Sequence, residues 1–222
     1  SASIAITASD DPLLGKAHWL YAGFLLALVM GLRRAEVRGL RWSDIDFEGR
    51  TLRVRQQSQR IKVVGRPIVD VDYKPKGRGR KGNKGLIGLP EVLIVPLREQ
   101  RERQDGQRLR AGAAWVEGGY VFTGDKGQPM NEDALASAFK RLCRTLGLRA
   151  IRLHDLRHGA STLLADTGAK PHEAQAIMGH SHVDTTLSVY THAALQSQRE
   201  ALDRVGALLG AEKPAPVADG GG

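Results

Sequence analysis

Met178-Gly179-His180-Ser181-His182-Val183-Asp184-Thr185-Thr186-Leu187-Ser188-Val189-Tyr190-Thr191-His192 is the stretch on which the reading of this chain turns. Every histidine except His18 falls between His154 and His192, a clustering that calls for a chemical reason. Three chemistries compete. In the first, a metal, His154 and His158 stand four apart on a helix and His180 and His182 flank a serine, spacings that suit zinc, with Asp155 and Asp184 to complete a set. No glutamate lies between the helical pair, however, and Arg157 would set a fixed positive charge beside the ion. The second is anion chemistry: His154 and Arg157, three apart near a helix N-terminus, offer a guanidinium fork and an acid-base group to a phosphate. The third is a set of surface histidines and structural ion pairs.

Working outward, Leu153-His154-Asp155-Leu156-Arg157-His158 lies upstream of that run. Further upstream stand Gly31-Leu32-Arg33-Arg34-Ala35-Glu36 and Leu40-Arg41-Trp42-Ser43-Asp44-Ile45-Asp46. The whole chain has 222 residues, 33 Lys plus Arg against 24 Asp plus Glu, and a formal charge of +9. That balance favours a polyanionic partner, nucleic acid or an acidic membrane. A composition 41% hydrophobic and 26% charged is that of a folded soluble protein, not of a disordered, collagen-like or coiled-coil chain. The uncharged stretch from Ala17 to Leu32 is shorter than the roughly 20 residues that span a bilayer, and reads as a buried helix. The lone cysteine, Cys143, excludes an internal disulfide and a multi-thiolate zinc site, and is expected in the core.

The patterning predicts a helix over Pro12–Met30 stopped by Gly31, and a short helix over Arg34–Leu40 with Ala35 and Leu40 on its apolar side. Period-two alternation predicts a strand over Thr51–Ser58 that shows Arg53 and Arg55, two possible DNA contacts, on one face. Further strands are expected over Ile68–Tyr73 and Leu86–Leu89. Between those two lies a Gly-rich basic loop with Lys74, Lys76, Arg78, Arg80, Lys81 and Lys84. Helices then follow: Pro90–Arg110 with Pro96 in a first turn or at a kink, one capped by Asn131 and ended by Gly147, Leu153–Thr167, Pro171–Met178, Val183–His192 and Leu195–Leu209. The fold class expected is mainly α with a small three-stranded antiparallel β-sheet. Residues 1–12 read as a linker or remnant, 13–210 as one mostly helical domain with a small sheet inserted, and 211–222 as a disordered tail.

Gly-His, then Thr-Thr-Leu, then a tyrosine ten residues after His180, preceded by His-x-x-Arg and an arginine box in that order, resembles the catalytic domain of the tyrosine recombinases, the phage integrase family. The resemblance runs from Leu13 to Leu209 and does not include the family's N-terminal core-binding domain. It implies Tyr190 as nucleophile, Arg33 and Arg157 as clamps on the scissile phosphate, His154 as acid-base partner, His180 as a donor to a phosphate oxygen, and Glu36 as a supporting carboxylate. It also implies a lysine general acid in the basic loop. Counting back from Leu86 selects Lys81, and the Pro75-Lys76 context selects Lys76; Lys74, Lys76, Arg78, Arg80 and Lys84 are the candidate DNA contacts.

The implied chemistry needs neither metal nor cofactor. Two arginines meet the charge of the pentavalent transition state, and positive neighbours ease deprotonation of a phenol whose ordinary pKa is about 10. Implied partners are double-stranded DNA attachment sites and, on them, three further copies of the chain as a homotetramer, with a monomer when free and no membrane. The setting is cytoplasmic and nucleoid-associated, in a bacterium, phage or mobile element. The apolar positions of Leu195–Leu209 suit packing on the chain's own domain or on a neighbour, and the resemblance implies docking between protomers. A type IB topoisomerase, a DNA-binding module with an unused site and a zinc hydrolase are the competing readings.

Overall fold

The structure is a computed structural model, and it describes residues 19–61, 69–73, 86–149, 151–179 and 192–209. Its centre is helix α1 (Tyr21–Val29), every residue of which is buried. A helix apolar all round needs neighbours all round. It has them in α2 (Arg34–Gly39), α3 (Ile94–Ala111), α4 (Ala134–Thr145), α5 (Leu153–Asp166) and α7 (His192–Leu208), while α6 (Pro171–Met178) packs on α5 and α7. One hydrophobic cluster runs from Leu20 to Leu209, with Cys143 inside it. Among the described residues no helix is long and apolar enough to cross a membrane.

The mainly helical class with small antiparallel sheets is as expected, and the strands are divided more finely. Strands β1 (Ile45–Asp46), β2 (Thr51–Arg53) and β5 (Leu86–Gly88) form the three-stranded sheet in the order β1-β2-β5. A separate two-stranded ladder pairs β3 (Gln57–Ile61) with β4 (Val69–Tyr73), Ser58 opposite Asp72 and Arg60 opposite Asp70. The single strand expected over Thr51–Ser58 is therefore broken at residues 54–56. Gln56 there turns its side-chain amide to the Gly39 carbonyl, 3.1 Å away. At Gly39 an added Cβ would lie 2.9 Å from the Ser58 nitrogen and 3.0 Å from the Gln56 oxygen, so α2 meets the β3 backbone directly.

Two local expectations change. The buried side of α2 is Glu36, Val37, Arg38 and Gly39, with Ala35 only partly covered, because the helix is pinned by charged side chains as well as apolar ones. Asn131 does not cap α4. Its side-chain oxygen accepts from the Asp133 N–H at 3.0 Å, one turn early, and the helix starts at Ala134. Leu135, Phe139, Leu142 and Cys143 do form the buried stripe of α4. Pro96 lies in the first turn of α3, where its missing N–H costs nothing. The candidate helix Val183–His192 lies outside the described residues except for His192, which opens α7, and residues 1–12 and 211–222 lie outside them entirely.

Candidate active site

Three chain segments converge where α1 ends. Gly31 turns the chain with φ +62°, and a Cβ there would lie 2.5 Å from Met178 Sδ, so only glycine fits both the backbone angle and the approach of α6. Arg33 follows as the N-cap residue of α2. Its N–H donates to Glu36 Oε2 at 2.9 Å and its Nη1 to Glu36 Oε1 at 3.0 Å. The carboxylate is fully buried while the arginine side chain is 34% exposed. Glu36 therefore holds Arg33 through its backbone and its guanidinium and leaves part of that guanidinium facing solvent.

Arg157, one turn into α5, is 6% exposed. Its Nη1 donates to the Gly31 carbonyl and its Nη2 to the Met178 carbonyl. One guanidinium thus joins the turn before Arg33 to the end of the helix before His180. His154, one turn earlier, is exposed, its ring edge-on to that of His158 at 5.3 Å between centroids. Among the described residues no three His, Cys, Asp or Glu side chains are grouped to hold a metal ion.

Arg33, His154 and Arg157 line one cleft of about 330 Å³, together with Leu32, Arg34, Ala136, Arg152 and Leu153. Arg34 and Arg152 are cleft residues the sequence reading did not single out. Arg34 bridges to Glu132 at 3.1 Å and Asp133 at 3.0 Å. Arg152 caps α5 through Asp155, whose N3 carboxylate accepts its backbone N–H at 2.9 Å and its Nη2 at 3.0 Å. These bonds hold the Asp155 carboxyl below the usual range. The signal was available: Arg152 and Asp155 have capping-box spacing. The cleft thus gathers four arginines and a histidine, which suits a phosphate diester.

His180, Tyr190 and the loop residues Lys74, Lys76, Arg78, Arg80, Lys81 and Lys84 lie outside the described residues. The ends of the segments that carry them are described. Gly179, left-handed with φ +64°, closes α6, and α7 starts at His192. Helices α6 and α7 are tied together where the Ser197 hydroxyl donates to buried Glu173. Burial alone would raise the Glu173 carboxyl, but the Ser197 hydroxyl and the Lys170 N–H outweigh it and leave it below the usual range. Helix α7 and the residue after it bury Leu195, Leu202, Val205 and Leu209 on their own domain, and Asp203 accepts from Arg50 Nη2 with both carboxylate oxygens and from the Glu91 N–H. Of the strand arginines, Arg55 turns back to its own domain, 2.8 Å from Asp44.

The phage integrase family is matched across residues 6–197, and the chain belongs to that family, whose members cleave and rejoin DNA strands. Among its relatives is a XerC-like tyrosine recombinase of Caldanaerobacter subterraneus, 32% identical over 87% of this chain and 51% of that protein. Another is the ICEBs1 integrase of Bacillus subtilis, 28% identical over 90% of this chain and 50% of that protein. Among solved structures, the integrase of transposon Tn1549 in complex with a circular intermediate DNA superposes with a TM-score of 0.62 at 25% identity, covering 91% of this chain and 62% of that one. XerA recombinase, 18% identical with a TM-score of 0.55, shares the fold. The chain spans about half the length of the curated relatives it matches.

Proposed function

We propose that this chain is the strand-cleaving and rejoining part of a site-specific DNA recombinase that works through a 3′-phosphotyrosine, without metal or ATP. The observation that carries this reading is the cleft in which Arg33, His154 and Arg157, far apart in sequence, line one wall system. The family match and the Tn1549 integrase solved with DNA support double-stranded DNA as the substrate. So does the outer side of α4 beside the cleft, where Lys140, Arg141 and Arg144 are exposed.

In this reading Arg33 and Arg157 face the non-bridging oxygens of the scissile phosphate and stabilise the charge that builds in the pentavalent transition state. Tyr190 Oη forms the new bond to phosphorus as the bond to the 5′ oxygen breaks. The phenol proton goes to His154, the 5′ oxygen takes a proton from Lys81 or Lys76, and His180 donates to a phosphate oxygen. Lys74, Lys76, Arg78, Arg80 and Lys84 hold neighbouring phosphates. The phosphotyrosine conserves the bond energy, so a 5′-hydroxyl from a second duplex reverses the step and exchanges strands. Carried out by a homotetramer on two paired sites, this exchange passes through a Holliday junction.

The test is a nicked duplex, selected from a randomised pool by covalent capture, incubated with the chain in EDTA. An SDS-resistant adduct is expected from the wild-type chain and none from Tyr190→Phe. Binding without any adduct would favour a DNA-binding module. Adducts that only reseal their own strand would point to a topoisomerase.

A further inference from the structure

Arg33 and Arg152 open two different helices with the same local construction. Each is the N-cap residue, and each is followed three residues later by a carboxylate, Glu36 or Asp155, that accepts both its backbone N–H and its guanidinium. A carboxylate that takes both groups fixes the direction in which the guanidinium leaves the helix. Arg41 gives its N–H to Asp44 in the same way, yet its guanidinium is directed to the Gly118 carbonyl and Asp72. What sets Arg33 and Arg152 apart is that both line the cleft shared with His154 and Arg157.

A phosphodiester has two non-bridging oxygens, and the forks of Arg33 and Arg157 suffice for them. Two further arginines line the same cleft, and they differ. Arg34 lies between two carboxylates, with Nη1 on Asp133 and Nη2 on Glu132, which outweigh its single charge and occupy both ends of its fork. It ties α2 to the residues before α4. Arg152 faces one carboxylate. Asp155 takes its Nε at 3.4 Å and its Nη2 at 3.0 Å, which leaves the Nη1 end without a partner among the described residues, on a side chain 83% exposed.

We propose that Arg152 is a second phosphate clamp, which holds a phosphate next to the scissile one on the cleaved strand, with Asp155 as the carboxylate that aims it. The inference rests on the reading given under Proposed function. A strand held at two consecutive phosphates is fixed in direction as well as in place. Arg152 therefore contributes to the alignment of the scissile phosphate and not to the chemistry on it.

Methylphosphonates test this, because each removes the charge of one phosphate and leaves the rest of the duplex intact. On the unmodified captured duplex, Arg152→Ala in a Tyr190→Phe background is expected to bind about tenfold more weakly than Tyr190→Phe alone at low salt. The slope of log affinity against log salt should shrink by about 0.9, the share of one phosphate contact. The N–H bond to Asp155 needs no side chain, so the melting temperature should match that of wild type. Arg152→Lys keeps the charge and should keep the slope. In a series of duplexes each carrying one methylphosphonate, neutralising one immediate neighbour of the scissile phosphate is expected to reproduce the loss, and Arg152→Ala should lose nothing further on that duplex. Unchanged binding and slope in Arg152→Ala overturn the clamp. So does a loss that adds in full to every methylphosphonate, or one absorbed by any phosphate other than an immediate neighbour, the scissile one included. Any of these results beside a wild-type chain that forms its Tyr190-dependent adduct removes the inference and leaves the reading of function standing. A wild-type chain that forms no such adduct overturns that reading, and the inference with it.

Discussion

Arg33 and Arg157 reach the same cleft on different terms. Arg33 is one-third exposed and leans on a buried carboxylate, Glu36, within its own helix turn. Arg157 is buried and bonded to two backbone carbonyls from segments remote in sequence, Gly31 and Met178. An arginine supported by a local carboxylate can be weakened without moving the frame. One that joins carbonyls of two segments is part of the frame, because a buried acceptor left without its donor costs about 1–3 kcal/mol. The same side chain therefore serves as a charge in one place and as both charge and strut in the other.

Lysine substitutions break this comparison most sharply. Arg33→Lys keeps a cation over Glu36 but loses the fork, so Tyr190 adduct formation should drop about 100-fold while the melting temperature stays near wild type. Arg157→Lys cannot span both carbonyls, so a comparable loss of rate should come with about 1–3 kcal/mol of lost stability in urea titrations. Equal stability of the two variants would erase the distinction.

The frame can also be attacked without touching charge. Gly31→Ala adds a Cβ at φ +62° against Met178 Sδ and should cost about 1–3 kcal/mol. Combined with Met178→Ala, which makes room, the double variant should lose less than the sum of the singles, read from the same titrations.

How much of this was legible beforehand differs between the two arginines. The boxes containing Arg33, Glu36, His154 and Arg157 were readable as motifs, and the buried stripe of α4 as helical period. The carbonyl bonds of Arg157 were not, since a backbone acceptor leaves no mark in a sequence. Nothing in the sequence marks Arg38 as buried. The tertiary approach of Asp70, Ser58 and the Met130 carbonyl makes it a buried anchor. The break between β2 and β3 was hidden for a related reason: the alternation runs on to Arg55, past the end of β2, and the close approach of Gly39 of α2 to the backbone of residues 56–58 leaves no mark in it.

Two smaller effects sharpen the picture at the edges of the site. Ser197→Ala should lower stability by about 1 kcal/mol at neutral pH, because it removes a donor to buried Glu173. Glu173 is held below its ordinary 4.5, so its contribution is present above that pH and is lost as pH falls through the lowered value. Acid unfolding of Ser197→Ala should accordingly be shallower over that range. At the other extreme, burial and the Asp72 carboxylate push Tyr120 up to about 12. The stability this represents is complete below pH 10 and lost as pH rises from 10 towards 12. Tyr120→Phe should remove that portion of the alkaline loss and one late-titrating phenol from the ultraviolet titration.

The central claim is that the cleft built by Arg33, His154 and Arg157 serves a tyrosine nucleophile twelve residues past Met178. Peptide mapping of the covalent complex formed in EDTA tests it most directly. The account predicts a nucleotide joined through its 3′-phosphate to Tyr190 and to no other residue. A 3′-phosphate linked to a different side chain, or an adduct that forms only when a divalent metal is added, would contradict it.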